Sequence, residues 1–373
     1  MQKLGFGMMR LPMPDPKVQS EVDLQQVCAM VDSFLEQGYT YFDTAYMYHG
    51  GESERIVREA LVKRHSRESF TLADKLPMMN LREAGPERQV EIFDEQLEKC
   101  GVDYFDYYLL HNLNSSDYGT VERLDSFGFI RQKKAEGKIR HLGFSFHDKA
   151  DLLDRILTEH PEVEFVQIQL NYLDWEDERV QSRKCYETIV RHGKQAVVME
   201  PVKGGRLAAV PEEVSALFQA AHPDWSAASW AIRFAASLEH VMVVLSGMSN
   251  MAQLTDNTGY MRSFSPLGES ERSTLAKAAD IISALPAVAC TGCRYCVDGC
   301  PREIPIPDYF ALLNQDQAAL RQGQEPSRDQ YRALAEGHGL ASSCVSCRQC
   351  ETACPQHLPV VNWLQRVTNT YEK

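Results

Sequence analysis

Positive charge is what this chain is short of: 39 Lys and Arg stand against 52 Asp and Glu across 373 residues, a formal net charge of -13. Nucleic-acid affinity comes largely from cations that neutralise phosphates, so without a basic stripe no nucleic-acid partner is expected. Long apolar runs are also missing. No stretch reaches the roughly 18 consecutive apolar residues of a membrane span, which argues against a membrane partner. The opening MQKLGFGMMRLPMP is too short in its apolar run for a secretory core, and a cytoplasmic protein is expected. No predicted strand is followed by G-x-G-x-x-G opening a helix, which disfavours an open dinucleotide-binding sheet. What is present is enough for a core: hydrophobic residues make up 44% and charged residues 24%, so disorder throughout is excluded. At roughly 100 to 200 residues per domain, the length implies two domains or one large barrel with an appendage.

Eleven cysteines in a reducing compartment are poorly explained by disulfides. Cys28, Cys100 and Cys185 lie scattered among apolar helical positions and read as small core residues. The others form two runs, Cys290, Cys293, Cys296, Cys300-Pro301 and Cys344, Cys347, Cys350, Cys354-Pro355. Both read C-x2-C-x2-C-x3-C-P. Three cysteines on one tight loop can wrap three corners of a cubane, while the fourth ligates the other cluster, so crossed ligation is predicted. One [4Fe-4S] cluster is expected on Cys290, Cys293, Cys296 and Cys354, and the second on Cys344, Cys347, Cys350 and Cys300. Structural zinc is the competing reading, but it favours tetrahedral sites built from paired C-x2-C knuckles. Residues 286–373 resemble dicluster bacterial-type ferredoxin domains. The long spacer, with helix-compatible stretches at 307–320 and 327–336, points to a small, mainly helical form of that domain.

Residues 1–285 read differently. Leu24, Val27, Cys28, Val31, Phe34 and Leu35 form a helical stripe that Gly38 ends. Strands are then expected at 41–43, 70–75, 104–111, 139–145, 165–170, 196–200 and 241–246, with an opening strand at 6–8. Helices are expected at 53–63 (Ser53 as N-cap), 87–100 (Val90, Phe93 and Leu97 on one face), 127–136, 149–158, 178–192, 227–236 and 251–262. Strand alternating with helix demands parallel strands joined by crossovers, and eight repeats suit an α/β fold of the (β/α)8 TIM-barrel class. Chemistry in such a barrel lies at the C-terminal ends of the strands.

Asp43, Lys75 and His111 fall at expected strand ends, with Tyr48 in the loop after Asp43. A lysine beside a phenol favours phenolate, an aspartate keeps the lysine charged, and a histidine can donate a hydrogen bond to a carbonyl oxygen. Together they make a proton donor aimed at an oxygen, suited to carbonyl and alcohol interconversion. The segments YFDTAYMYHGGESERIVREAL, TLADKL and YYLLHNL resemble the catalytic segments of the aldo-keto reductases over about residues 1–262. The resemblance implies that Tyr48 is the general acid, Lys75 and Asp43 tune it, and His111 orients the substrate.

For the cofactor, the resemblance implies that Ser145 and Gln167 hold a nicotinamide carboxamide and that Asn257 contacts its far end. Phe146 stands where the family usually has Asn, and Met199 where it often has a stacking aromatic. Gly247 and Gln253 replace the basic residues that grip a 2′-phosphate, so NAD is favoured over NADP among NAD(P)(H) cofactors, and a flavin becomes credible. KGGR at 203–206 reads as a Gly-Gly turn with solvated charges or, less simply, as a phosphate contact. Clusters move single electrons whereas hydride moves two, so an iron-sulfur oxidoreductase exchanging electrons with a carrier protein is the preferred reading. The alternatives are an electron-transfer or binding module with an altered barrel, and a tail whose clusters only brace the fold.

Overall fold

The computed structural model describes residues 2–15, 18, 20–321 and 323–373. It divides into two compact units, Met1–Val202 with Phe218–Leu275, and Lys203–Leu217 with Ala276–Lys373. In the first, eight parallel strands close into a barrel in chain order: β1 Leu4–Gly7, β2 Tyr41–Asp43, β3 Thr71–Pro77, β4 Phe105–Leu113, β5 Ile139–Phe146, β6 Phe165–Gln169, β7 Gln195–Met199 and β8 Val241–Ser246. β8 closes on β1 through Leu4, Gly5 and Phe6. These strands are rich in β-branched and aromatic residues and buried on both faces, as a parallel sheet wrapped by helices requires.

Alternation along the strands sorts the side chains. Tyr41, Ala73, Tyr107, Leu109, Phe165, Val197, Val243 and Leu245 meet in one apolar cluster, the inward-facing set. Space there is tight. A Cβ on Gly5 would fall 2.7 Å from Val243 Cγ1, and one on Gly143 would fall 2.4 Å from the Phe165 carbonyl oxygen. Two residues further on, and therefore on the same side of their strands, come Asp43, Lys75, His111, Gln167 and Met199. The polar rim is thus the continuation of the apolar filling toward the C-terminal ends.

Several details differ from expectation. β3 and β4 run two residues past Lys75 and His111, which therefore sit within ordered strands, with His111 opposite Pro77. Ser53 is the first helical residue rather than a cap, because its hydroxyl is taken by Thr44 Oγ1 at 2.8 Å. In the helix Glu87–Cys100 the buried face is Gln89, Ile92, Phe93, Gln96 and Cys100, leaving Val90 40% exposed. Polar Gln96 belongs inside because it donates to the Lys75 carbonyl and to Glu54 while accepting from Tyr108. Helices Ser115–Arg123, Glu212–Ala221 and Glu269–Ser283 had no expected counterpart. Cys100 and Cys185 are buried, whereas Cys28 is partly exposed.

In the second unit, helices Ile306–Arg321, Arg328–Ala335 and Val360–Tyr371 surround a core that includes Tyr309, Phe310, Leu313, Tyr331, Leu364, Val367 and Tyr371. Tyr331 and Tyr371 stack with ring centroids 5.2 Å apart, and the Tyr331 hydroxyl accepts the Ala341 amide at 2.9 Å. The last helix was not anticipated, though its apolar residues repeat at helical spacing. No helix among the described residues is long and apolar enough to cross a membrane.

Candidate active site and cysteine cavities

Lys75 is fully buried, and its ammonium donates to Asp43 Oδ1 at 2.6 Å, to the Thr44 carbonyl at 2.6 Å and to the Tyr48 hydroxyl at 3.5 Å. A buried cation survives only when paired and hydrogen-bonded, which the β2 terminus provides. Tyr48 sits on a short turn, Tyr48–Gly51, where His49 and Gly50 adopt positive φ of 53° and 63°. That turn is anchored by His49 Nε2, which accepts the Leu11 amide at 3.2 Å. The His111 ring meets Tyr48 edge-on with centroids 6.1 Å apart. Asp43, Tyr48, Lys75 and His111 are therefore gathered in one place, all buried.

Electrostatics sets their protonation. Burial, then the charges of Asp43, Glu200 and Asp74, hold the Tyr48 phenol well above its ordinary range, with Arg10 opposing. The expected lowering by Lys75 does not prevail, because Asp43 offsets the lysine charge and desolvation penalises phenolate. The phenol keeps its proton, as a proton donor must. Burial, followed by the charges of Lys75 and His147, keeps His111 well below the usual histidine range, so its ring is neutral and carries one N–H. Arg10 and Glu200, paired at 3.4 Å, are contributors that strand-end reasoning missed. Arg10 lies on the β1 loop and carries no periodic signal.

Behind the rim lies a second buried polar group. Glu54 and Asp74 are both fully buried, and burial raises both carboxyls, Asp74 further through the charge of Glu54. Asp74 Oδ1 accepts the Lys75 amide at 2.8 Å, and Lys99 approaches Glu54 at 3.4 Å. Asp74, next to Lys75 in the sequence, points the other way by strand alternation.

The expected cofactor residues are placed less uniformly. Ser145 Oγ accepts the Asn112 amide at 2.8 Å, and Gln167 Nε2 reaches Met199 Sδ at 3.6 Å. Among the described residues, Gln167 Oε1, His111 Nδ1 and Asp43 Oδ2 are buried without a hydrogen-bond partner. Orphaned buried polar atoms are costly and mark a place where a ligand is expected to supply partners. A nicotinamide carboxamide fits Gln167 Oε1 chemically. Asn257 is engaged within the chain, donating to Ser246 Oγ at 2.9 Å and accepting from the Tyr260 hydroxyl at 2.7 Å.

Among the described residues, two cavities of the tail unit are lined by cysteines. One is lined by Cys290, Cys293, Cys296 and Cys354 together with Gln356 and Phe310. The other is lined by Cys300, Cys344, Cys347 and Cys350. Ile306 lines both. The pairing of each three-cysteine loop with the fourth cysteine of the other run is the arrangement expected from spacing, and four thiols around one cavity suit a [4Fe-4S] cubane. The Gly292 amide donates to Cys290 Sγ at 3.4 Å. Burial pushes the Cys296 and Cys354 thiols up, and Cys350 up to about 11, so a metal bound there would have to displace protons.

Residues 3–280 match the Aldo/keto reductase family, and residues 289–359 match a 4Fe-4S dicluster domain. The methylglyoxal reductase YeaE of Escherichia coli is 34% identical over 118 residues, 32% of this chain and 38% of that protein. The chain spans half the length or less of the curated relatives it matches. An aldo-keto reductase from Bacillus halodurans in its holo form aligns with a TM-score of 0.58 and 25% identity, covering 74% of this chain and 91% of that one. An aldo/keto reductase from Klebsiella pneumoniae in complex with NADP and acetate aligns with a TM-score of 0.56 and 21% identity, over 74% and 90% of the two chains.

Proposed function

The chain belongs to the aldo/keto reductase family, and from that premise we propose that its barrel interconverts a small carbonyl compound and the corresponding alcohol while its tail carries electrons through two [4Fe-4S] clusters. The observation that carries the reading is the buried Lys75–Asp43 pair beneath a neutral Tyr48 phenol, with His111 at its edge. When bound, a nicotinamide supplies hydride chemistry at the barrel mouth, and the clusters supply one-electron steps. The chain's own residues do the rest. Tyr48 gives its proton to the substrate oxygen as the carbonyl carbon is reduced, and in the reverse direction the tyrosinate recovers it. His111 donates a hydrogen bond that orients that oxygen, and Lys75 stabilises the tyrosinate left behind. Gln167 and Ser145 hold the carboxamide.

The nicotinamide is proposed as NAD(H) rather than NADP(H), because Gly247 and Gln253 stand where a 2′-phosphate would need cations. The Klebsiella relative's NADP complex makes the opposite preference the natural control. A flavin is the alternative converter between hydride and single electrons. Small aldehydes, methylglyoxal among them, are the first substrates to try, given the named activity of the Escherichia coli relative. Anaerobic purification, metal and flavin analysis, and turnover of a carbonyl panel with NADH and NADPH test the proposal together. About eight irons per chain are expected for two cubanes. Turnover of no carbonyl with either cofactor would overturn the barrel's role, and absorbance of released flavin would replace nicotinamide in it.

A further inference from the structure

Lys203 opens the segment Lys203–Leu217, which belongs to the same unit as the cysteine tail. Lysine ammonium groups normally reach solvent. This residue is 3% exposed, and its Nζ donates to Gln356 Oε1 at 2.9 Å in a buried contact. The solvated turn expected from sequence is thus corrected: the charge is inside. Gln356 follows Cys354 by two positions and lines the cavity of Cys290, Cys293, Cys296 and Cys354.

The backbone holds the lysine there. Lys203 has φ of +48°, a left-handed conformation that few non-glycine residues adopt. Gly204 follows at φ +64°, where a Cβ would fall 2.5 Å from the Thr291 carbonyl oxygen. Thr291 also lines that cavity. Only glycine allows the turn to lie so close to the first cysteine loop.

The other cations near the cavities are placed differently. Arg294, at the first cavity, is paired with Asp308 at 3.1 Å. Arg302 and Arg348, at the second, are solvent-exposed, where water and salt screen them. Reducing a cluster adds one negative charge, and a buried cation beside it favours the reduced form.

We propose that Lys203 is a positioning residue for electron transfer, its buried ammonium raising the reduction potential of the cluster held by Cys290, Cys293, Cys296 and Cys354 relative to the other. The inference rests on the reading that both cysteine sets hold [4Fe-4S] clusters. It is tested by redox titration of the full-length, anaerobically reconstituted protein, followed by electron paramagnetic resonance, for wild type, Lys203→Met, Lys203→Gln and Lys203→Arg. Removing the charge should lower the equilibrium constant for reducing one cluster about tenfold, about 59 mV for a one-electron couple. The other midpoint should stay in place, and Lys203→Arg should restore the first. Fully loaded Met and Gln variants with both midpoints unmoved, or moved together, overturn the proposal. So does iron loss in both neutral variants but not in Lys203→Arg, which would make the lysine a builder of the site. A wild-type protein that takes up no clusters would instead overturn the reading beneath it.

Discussion

Replacing Tyr48 by Phe removes one hydroxyl and little else. The side chain is buried, and its hydroxyl's contact with Lys75 Nζ, at 3.5 Å, lies at the limit of a hydrogen bond. Losing so weak a contact costs about 0 to 1 kcal/mol of stability. The catalytic cost is far larger if Tyr48 is the proton donor, because a positioned general acid contributes roughly 10²- to 10⁴-fold. That range corresponds to about 3 to 5.5 kcal/mol in the barrier. Lys75→Met gives the contrasting pattern. It leaves the Asp43 carboxyl buried without its cation, and breaking a buried pair costs about 3 to 5 kcal/mol. The assay is steady-state carbonyl reduction followed by cofactor absorbance, with thermal melting and iron content measured on the same samples. Expected is a Tyr48→Phe protein that melts within a few degrees of wild type, keeps its iron and loses kcat, beside a Lys75→Met protein that loses both activity and stability. A Tyr48→Phe enzyme that retains kcat within threefold would refute the assignment of the proton to this phenol.

Other outcomes follow from the same geometry. The Asp74 carboxyl, raised above its ordinary range by burial and by Glu54, adds stability that is fully present below the unfolded carboxyl pKa and is lost as pH rises through its folded value. In denaturant titrations wild type should therefore lose more stability as pH rises above the ordinary carboxyl range than Asp74→Asn, which needs no buried proton. His111, held below its ordinary value, works in the opposite sense: its share of stability is present above the unfolded histidine pKa and falls away as pH drops through its folded value, which His111→Asn should remove from the acid limb of the same titration. Cys354→Ala should reduce the iron held by the Cys290 loop and leave the signal of the second site, read by iron analysis and electron paramagnetic resonance. Gly143→Ala should destabilise by about 1 to 3 kcal/mol or more, since the new methyl meets the Phe165 carbonyl oxygen at 2.4 Å. An unchanged melting temperature would show that the barrel interior yields more easily than this packing allows.

How far the sequence could be read varied from residue to residue. Asp43 and Tyr48 were legible because β2 is short, apolar and bounded, so its end could be placed to the residue. Lys75 and His111 were found even though their strands run two residues further, because inward parity matters more than the strand boundary. Arg10 and Glu200 were not found, since their effect on Tyr48 arises from proximity across distant segments. The buried Glu54–Asp74 pair was hidden for a related reason: charged residues in helices and strands read as solvated until the packing around them is known. Helix Val360–Tyr371 was missed although Val360, Leu364, Val367 and Tyr371 lie on one buried face.

Local chemistry in this chain is written in short-range spacing. The eight-cysteine repeat and the strand-helix alternation each need only neighbouring residues to be recognised, because ligand reach and backbone periodicity are local properties. Burial, charge balance and partner choice are not. Whether the Tyr48 phenol is raised or lowered and whether Lys203 faces water or Gln356 depend on groups brought together from far along the chain, and only the folded structure decided them.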